Sequence, residues 1–229
     1  MANPKYMELG FNVIYLTFIF CIILVMTLRM KHVKPEHMAI AQRFRLAFLL
    51  FFVGDLAHVG ARLVAIASGK LESGPGVSAA STILELLAMY ILLLFFTNIW
   101  AVRFQKTGEP LYRFIMACGV LGIILVLLPQ NQLTSPHPPP VWSTIRILPW
   151  VIQGLAIAIC MIRDGGRERD SFYRKLGGLL IPAIACYSPS VLFPGAIPPP
   201  VIALMMVIGT TLFMVIEYAP LKKYFLNKG

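Results

Sequence analysis

The chain has 229 residues, of which 58% are hydrophobic and 13% charged, with a formal net charge of +10. Soluble domains carry about 25% charged residues, so this composition excludes a soluble globule, a disordered chain and a small disulfide-stapled module. What remains is an all-α polytopic membrane protein, and the positive charge has to be explained within it.

Crossing the hydrocarbon core takes about 20 predominantly apolar residues in a helix. Seven runs meet that demand: 10–28, 46–67, 78–102, 111–128, 141–162, 176–193 and 200–218. They predict one seven-helix transmembrane domain over residues 1–229. The gaps are short and read as turns: 69–76 holds three glycines and one proline, and 136–140 and 193–200 are rich in proline. The first run follows only Lys5 and lacks a small-residue cleavage site, so it is expected to stay as a helix and not act as a signal peptide.

The placement of lysine and arginine predicts the orientation. Arg29, Lys31, Lys34, Arg43 and Arg45 follow the first run, and Arg103, Lys106 and Arg113 follow the third. Arg163, Arg167, Arg169, Arg174 and Lys175 follow the fifth, and Lys222, Lys223 and Lys228 form the tail. These sixteen of the twenty basic residues fall on one side of an odd-helix topology, leaving Lys5, Arg62, Lys70 and Arg146 elsewhere. The amino terminus is therefore expected outside and the carboxyl terminus in the cytoplasm. The same grouping argues against nucleic acid: basic residues beside helix ends suit anionic headgroups, and no recognition motif accompanies them.

The four cysteines, Cys21, Cys118, Cys160 and Cys186, lie inside predicted helices without CxxC spacing, and small apolar core positions are expected for them. His32 and His37 fall in the first cytoplasmic loop and His137 in an outer one, leaving His58 as the one intramembrane histidine. One histidine builds neither a bis-His haem site nor a metal centre. No predicted helix interior offers a lysine for a retinal Schiff base. No cofactor and no metal are expected.

Ionisable side chains inside a bilayer cost about 2.5–3.5 kcal/mol each on insertion scales, which makes each a functional candidate. The second helix has three, Asp55, His58 and Arg62, at spacings that share one face. With a rise of 1.5 Å per residue, Asp55 and His58 flank the midplane and Arg62 lies about 7–10 Å further out. On the third helix Ser78, Ser81, Thr82 and Glu85 share a face, and an Arg62–Glu85 ion pair is predicted. Gln130 and Asn131 end the fourth helix. Trp142, Arg146, Pro149 and Gln153 open the fifth, and Tyr187 and Ser188 lie on the sixth between the bending prolines Pro182 and Pro189. Ser81, Thr82, Asn98 and Gln153 taken singly fit interhelical hydrogen bonds, and Arg146 fits a snorkelling role equally well. Glu217 and Arg103 are expected at the cytoplasmic interface. Gly54 and Gly60 offer room for a close helix or a ligand. Gly119, Gly122, Gly177 and Gly178 fit packing either within the bundle or at a dimer face.

Four ordered motifs, Gly54-Asp55-x-x-His58-x-x-x-Arg62, Leu128-Pro129-Gln130-Asn131, Trp142-x-x-x-Arg146-x-x-Pro149 and Tyr187-x-Pro189-x-Val191-Leu192-Phe193, resemble a family of bacterial seven-helix integral membrane proteins without an assigned activity. The chain departs from the family pattern at Ala61 and Leu133. The resemblance implies residence in a bacterial inner membrane.

Two functions fit these residues. One is a polar cavity in the outer half, built from Asp55, His58, Arg62, Glu85, Gln130, Asn131, Arg146, Gln153 and Tyr187, that binds or transports a small molecule, lipid or proton. The other is an intramembrane enzyme acting on a lipid or isoprenoid, with Asp55 and His58 as acid–base pair and Arg62 or Arg146 on an anionic group. Membrane lipids are the expected partners, with a second copy or a partner protein as further ones.

Overall fold

Proline punctuates this chain more usefully than its turns suggest. In the computed structural model, which describes residues 4–68, 75–133, 139–192 and 197–226, the described regular structure is entirely helical. The helices are α1 (Pro4–Arg29), α2 (Pro35–Ala67), α3 (Pro75–Arg103), α4 (Pro110–Leu127), α5 (Pro140–Arg167), α6 (Ser171–Leu192) and α7 (Pro199–Pro220). All but α6 open at a proline, whose fixed φ and missing N–H suit the first helical turn. Each helix therefore starts before its apolar run does. Residues 35–45, expected in a loop, are the first three turns of α2, and His37 lies there with its ring edge against Tyr224.

Six of the seven helices are long and apolar enough to cross a membrane. The exception over its described residues is α6, which opens with Arg174 and Lys175 and is diluted by Gly177, Gly178, Pro182 and Pro189. The outward faces of the bundle are apolar: Ile14 is 64% exposed, Val64 66% and Leu204 60%. A monomeric soluble protein rarely tolerates so much exposed apolar side chain, whereas hydrocarbon demands it. Cys21 is among the exposed residues, Cys118 and Cys186 are half-buried, and only Cys160 takes the core position expected of all four.

Each helix packs on its neighbours in sequence, α7 returns to α1, and α3 runs inside the ring to reach α5 as well as α2 and α4. Small residues set the closest approaches. A Cβ at Gly54 would strike the Cβ of Ala88 and the carbonyl of Leu84, so this glycine fixes the α2–α3 crossing. Gly60 on the same helix meets nothing and makes no comparable approach. Gly119, Gly122 and Gly177 all face side chains of this chain, which assigns their packing to the bundle itself.

The end of the bundle rich in lysine and arginine is dense with aromatic rings. Phe44 packs against Phe48, Phe96, Phe172 and Tyr224. The chain does not stop at the end of α7: residues Leu221–Leu226 continue in a π-helical turn and bury Leu221, Tyr224 and Phe225. That continuation moves Glu217 away from the helix end, with a consequence for the interior described below.

Candidate functional site

Between the middle of the bundle and the end opposite the basic one lies a cavity, with about 50 Å³ of space for the centres of water-sized molecules. Its polar wall is Tyr15 on α1, Asp55 on α2, Glu85 on α3, Trp150 on α5 and Tyr187 on α6. Phe51, Phe213 and the α3 residues Met89, Leu92 and Leu93 complete it with apolar surface. Six helices thus contribute, α4 being the one that does not. Heptad-like spacing on α3 explains its large share: Glu85, Met89, Leu92 and Leu93 follow one helical face inward.

Three predicted site residues, Asp55, Glu85 and Tyr187, line this cavity. Tyr187 is held by a 2.6 Å hydrogen bond between its hydroxyl and that of Thr210 on α7. His58 stands behind Glu85, with Nδ1 3.0 Å from Oε2. That is ion-pairing distance, but the carboxylate lies off the ring N–H direction, and Nδ1 has no partner in hydrogen-bond geometry. Glu85 was expected to meet Arg62; the contact it shows is with His58, a turn nearer the middle. Arg62 is half-buried and is not part of the cavity wall.

The remaining predicted residues do not line the cavity. Gln130 is exposed. Asn131 is 1% exposed and its side-chain amide donates to the carbonyls of Leu125, Val126 and Leu128, at 2.6, 3.2 and 3.0 Å. It satisfies the carbonyls that the end of α4 leaves open. Arg146 donates to the side-chain Oδ1 of Asn131 over 3.3 Å, tying α5 to that end of α4. Gln153 is fully buried against Leu94 and Gly119, and neither amide atom has a hydrogen-bond partner. Asn98 does act as an interhelical tie: it accepts from Arg43 Nε at 2.7 Å and donates to the Tyr112 hydroxyl at 3.3 Å, joining α2, α3 and α4. Arg103 lies where expected, at a helix end, paired with Asp170 and Glu168 at 3.1 and 3.4 Å.

One arrangement positions the α5 wall of the cavity. Pro149 has no N–H and its ring crowds the preceding turn, so the helix cannot close normally there. The Tyr90 hydroxyl enters the gap. It donates to the carbonyl of Arg146 and accepts the N–H of Trp150 at 3.2 Å, replacing the bond those two groups would share in an unbroken helix. Gly122 makes this possible, since a Cβ there would land on the Tyr90 ring. Trp150 is thereby set with its ring in the cavity wall and its indole N–H buried without a partner.

Sequence reasoning missed Tyr15 and Trp150, and it misplaced Glu217. Glu217 is fully buried, and its Oε1 accepts from the Tyr15 hydroxyl at 3.0 Å. Its other oxygen has no partner. The expectation of an interfacial Glu217 assumed that α7 ends near Tyr218; the helical path to Leu226 puts two further turns beneath it. A lone hydroxyl in the apolar run of α1 and a lone carboxylate in α7 were the available signals.

Among known proteins, no family model matches this chain, and no curated sequence matches it.

Proposed function

We propose that the chain crosses the membrane seven times, amino terminus outside, and that its cavity takes up protons and passes them across the bilayer. The observation that carries this reading is two carboxylates, Asp55 and Glu85, facing two phenols, Tyr15 and Tyr187, around one water-sized space inside an apolar bundle. A space of about 50 Å³ holds a few waters, which need polar partners of this kind. A chain of carboxyl, hydroxyl and water groups is what proton movement requires, and ionisable residues at this depth commonly mark such relays.

The seven crossings are supported by α6, whose 22 residues span about 33 Å and pack along both α5 and α7. The orientation is supported by the sixteen basic residues grouped at one end. Residence in a bacterial inner membrane rests on the four sequence motifs. The acid–base enzyme reading keeps only the His58–Glu85 contact.

Asp55→Asn tests the reading, since the amide keeps the shape and cannot exchange a proton. In liposomes loaded with a pH-sensitive dye, proton flux driven by an imposed gradient is expected to fall at least about tenfold, the scale on which one acid–base group contributes. Flux equal to the wild type in correctly inserted protein would overturn it.

A further inference from the structure

We propose that Glu217 is a second proton-binding residue, exchanging its proton with the cavity through the Tyr15 hydroxyl. This deepens the proton reading of the cavity and rests on it. Tyr15 links the two places: it lines the cavity, and its O–H donates to Glu217 Oε1 over 3.0 Å. Glu217 is itself fully buried, with Oε2 unpartnered. An isolated carboxylate in an apolar interior is costly enough that such groups take up a proton instead, and Oε1, already in hydrogen-bond contact with Tyr15, is where that hydrogen arrives.

The groups facing this carboxyl make the exchange specific. Tyr15 on α1 touches it, and Asp55 on α2 is near enough to interact with it electrostatically. Tyr187 on α6 lines the same cavity. No arginine, lysine or histidine among the described contacts neutralises Glu217, so a proton is the cation its chemistry calls for. Transfer into the site conserves atoms and charge. A protonated water or the Asp55 carboxylic acid, acting through cavity water, gives a proton to the Tyr15 oxygen as the Tyr15 hydrogen passes to Glu217 Oε1. The phenol is regenerated, the donor is left neutral water or carboxylate, and Glu217 ends as the acid. Glu217 lies one turn past the cavity residue Phe213, about 6 Å closer to the basic end, so the step carries a proton inward.

The experiment is infrared difference spectroscopy on the full chain in lipid nanodiscs after a pH step, following the carboxylic C=O band and its shift in heavy water. Glu217→Gln should remove one such band. Tyr15→Phe should keep the band but slow its response at least tenfold. Both variants preserve side-chain volume, and each is first checked for a single sharp peak in size exclusion. A spectrum unaltered by Glu217→Gln overturns the proposal, and so does a wild-type response rate in Tyr15→Phe. Failure of the transport reading registers elsewhere, as unchanged flux in Asp55→Asn while the Glu217 band behaves as described.

Discussion

At the basic end, Asp170 accepts from Lys223 at 3.2 Å and from Arg103 at 3.1 Å, and the indole N–H of Trp100 donates to Asp164 at 3.0 Å. The Lys223 ammonium also sits 4.3 Å from the centre of the Phe172 ring. Around the cavity, the indole N–H of Trp150, both amide atoms of Gln153 and one oxygen of Glu217 have no protein partner. The same residue types thus play opposite parts in the two halves. In one they are consumed in holding helices together. In the other they have no partner within the described protein.

That contrast can be broken by substitution. Phe44→Ala, in the aromatic cluster of the basic half, should cost most, about 3–5 kcal/mol as a buried phenylalanine truncation. Thermal melting in detergent micelles measures it, and a loss below about 1 kcal/mol would mean that this half is not the better packed one. Asp170→Asn should cost about 2 kcal/mol, because two charged donors lose their acceptor.

Asp170 also predicts a pH dependence. Burial pushes its carboxyl up, but Lys223 and Arg103 outweigh burial and hold it below the ordinary carboxylate range. A group with a depressed folded value stabilises the fold above its unfolded value, near 3.9, and that contribution is lost as pH falls through the folded value. The melting temperature of the wild type should therefore drop more steeply below about pH 4 than that of Asp170→Asn. Parallel curves would remove the charge network from the account of that end.

In the cavity half the expected sign reverses. Gln153→Met keeps the shape and deletes two unpaired polar atoms, so it should stabilise by about 1 kcal/mol. A destabilised Gln153→Met would place Gln153 with the structural polar groups. Trp150→Phe should have the smallest effect, within about 0.5 kcal/mol, since the lost ring packing is offset by removing an orphaned N–H. Melting points of the two variants beside Phe44→Ala give the full comparison on one scale.

Fold class was legible because hydrocarbon imposes a composition: the apolar runs, the short turns and the clustered basic residues are local features of the chain. Helix starts were less so, since proline reads as a turn until one knows which side of it the helix lies. Asp55, Glu85 and Tyr187 stood out as polar residues against an apolar background. Gln130, Asn131 and Arg146 stood out equally, yet Asn131 and Arg146 serve the end of α4 and Gln130 is exposed, because oddity in a helix does not distinguish a guest site from a cap. Tyr15, Trp150 and Glu217 depend on contacts spanning up to 202 positions of sequence, between α1 and α7. Periodicity within a single helix carries no information about such a meeting.

The Tyr90 hydroxyl in the backbone of α5 gives that helix an unusual mechanical property. Where most helices transmit force through a continuous ladder of backbone bonds, the segment before Pro149 is coupled to the segment after it through a side chain borrowed from α3. The continuity of α5 at the level of Trp150 therefore depends on the placement of one tyrosine of α3. The two halves of α5 are in effect pinned from outside, and the pin is anchored on the helix that supplies the largest share of the cavity wall.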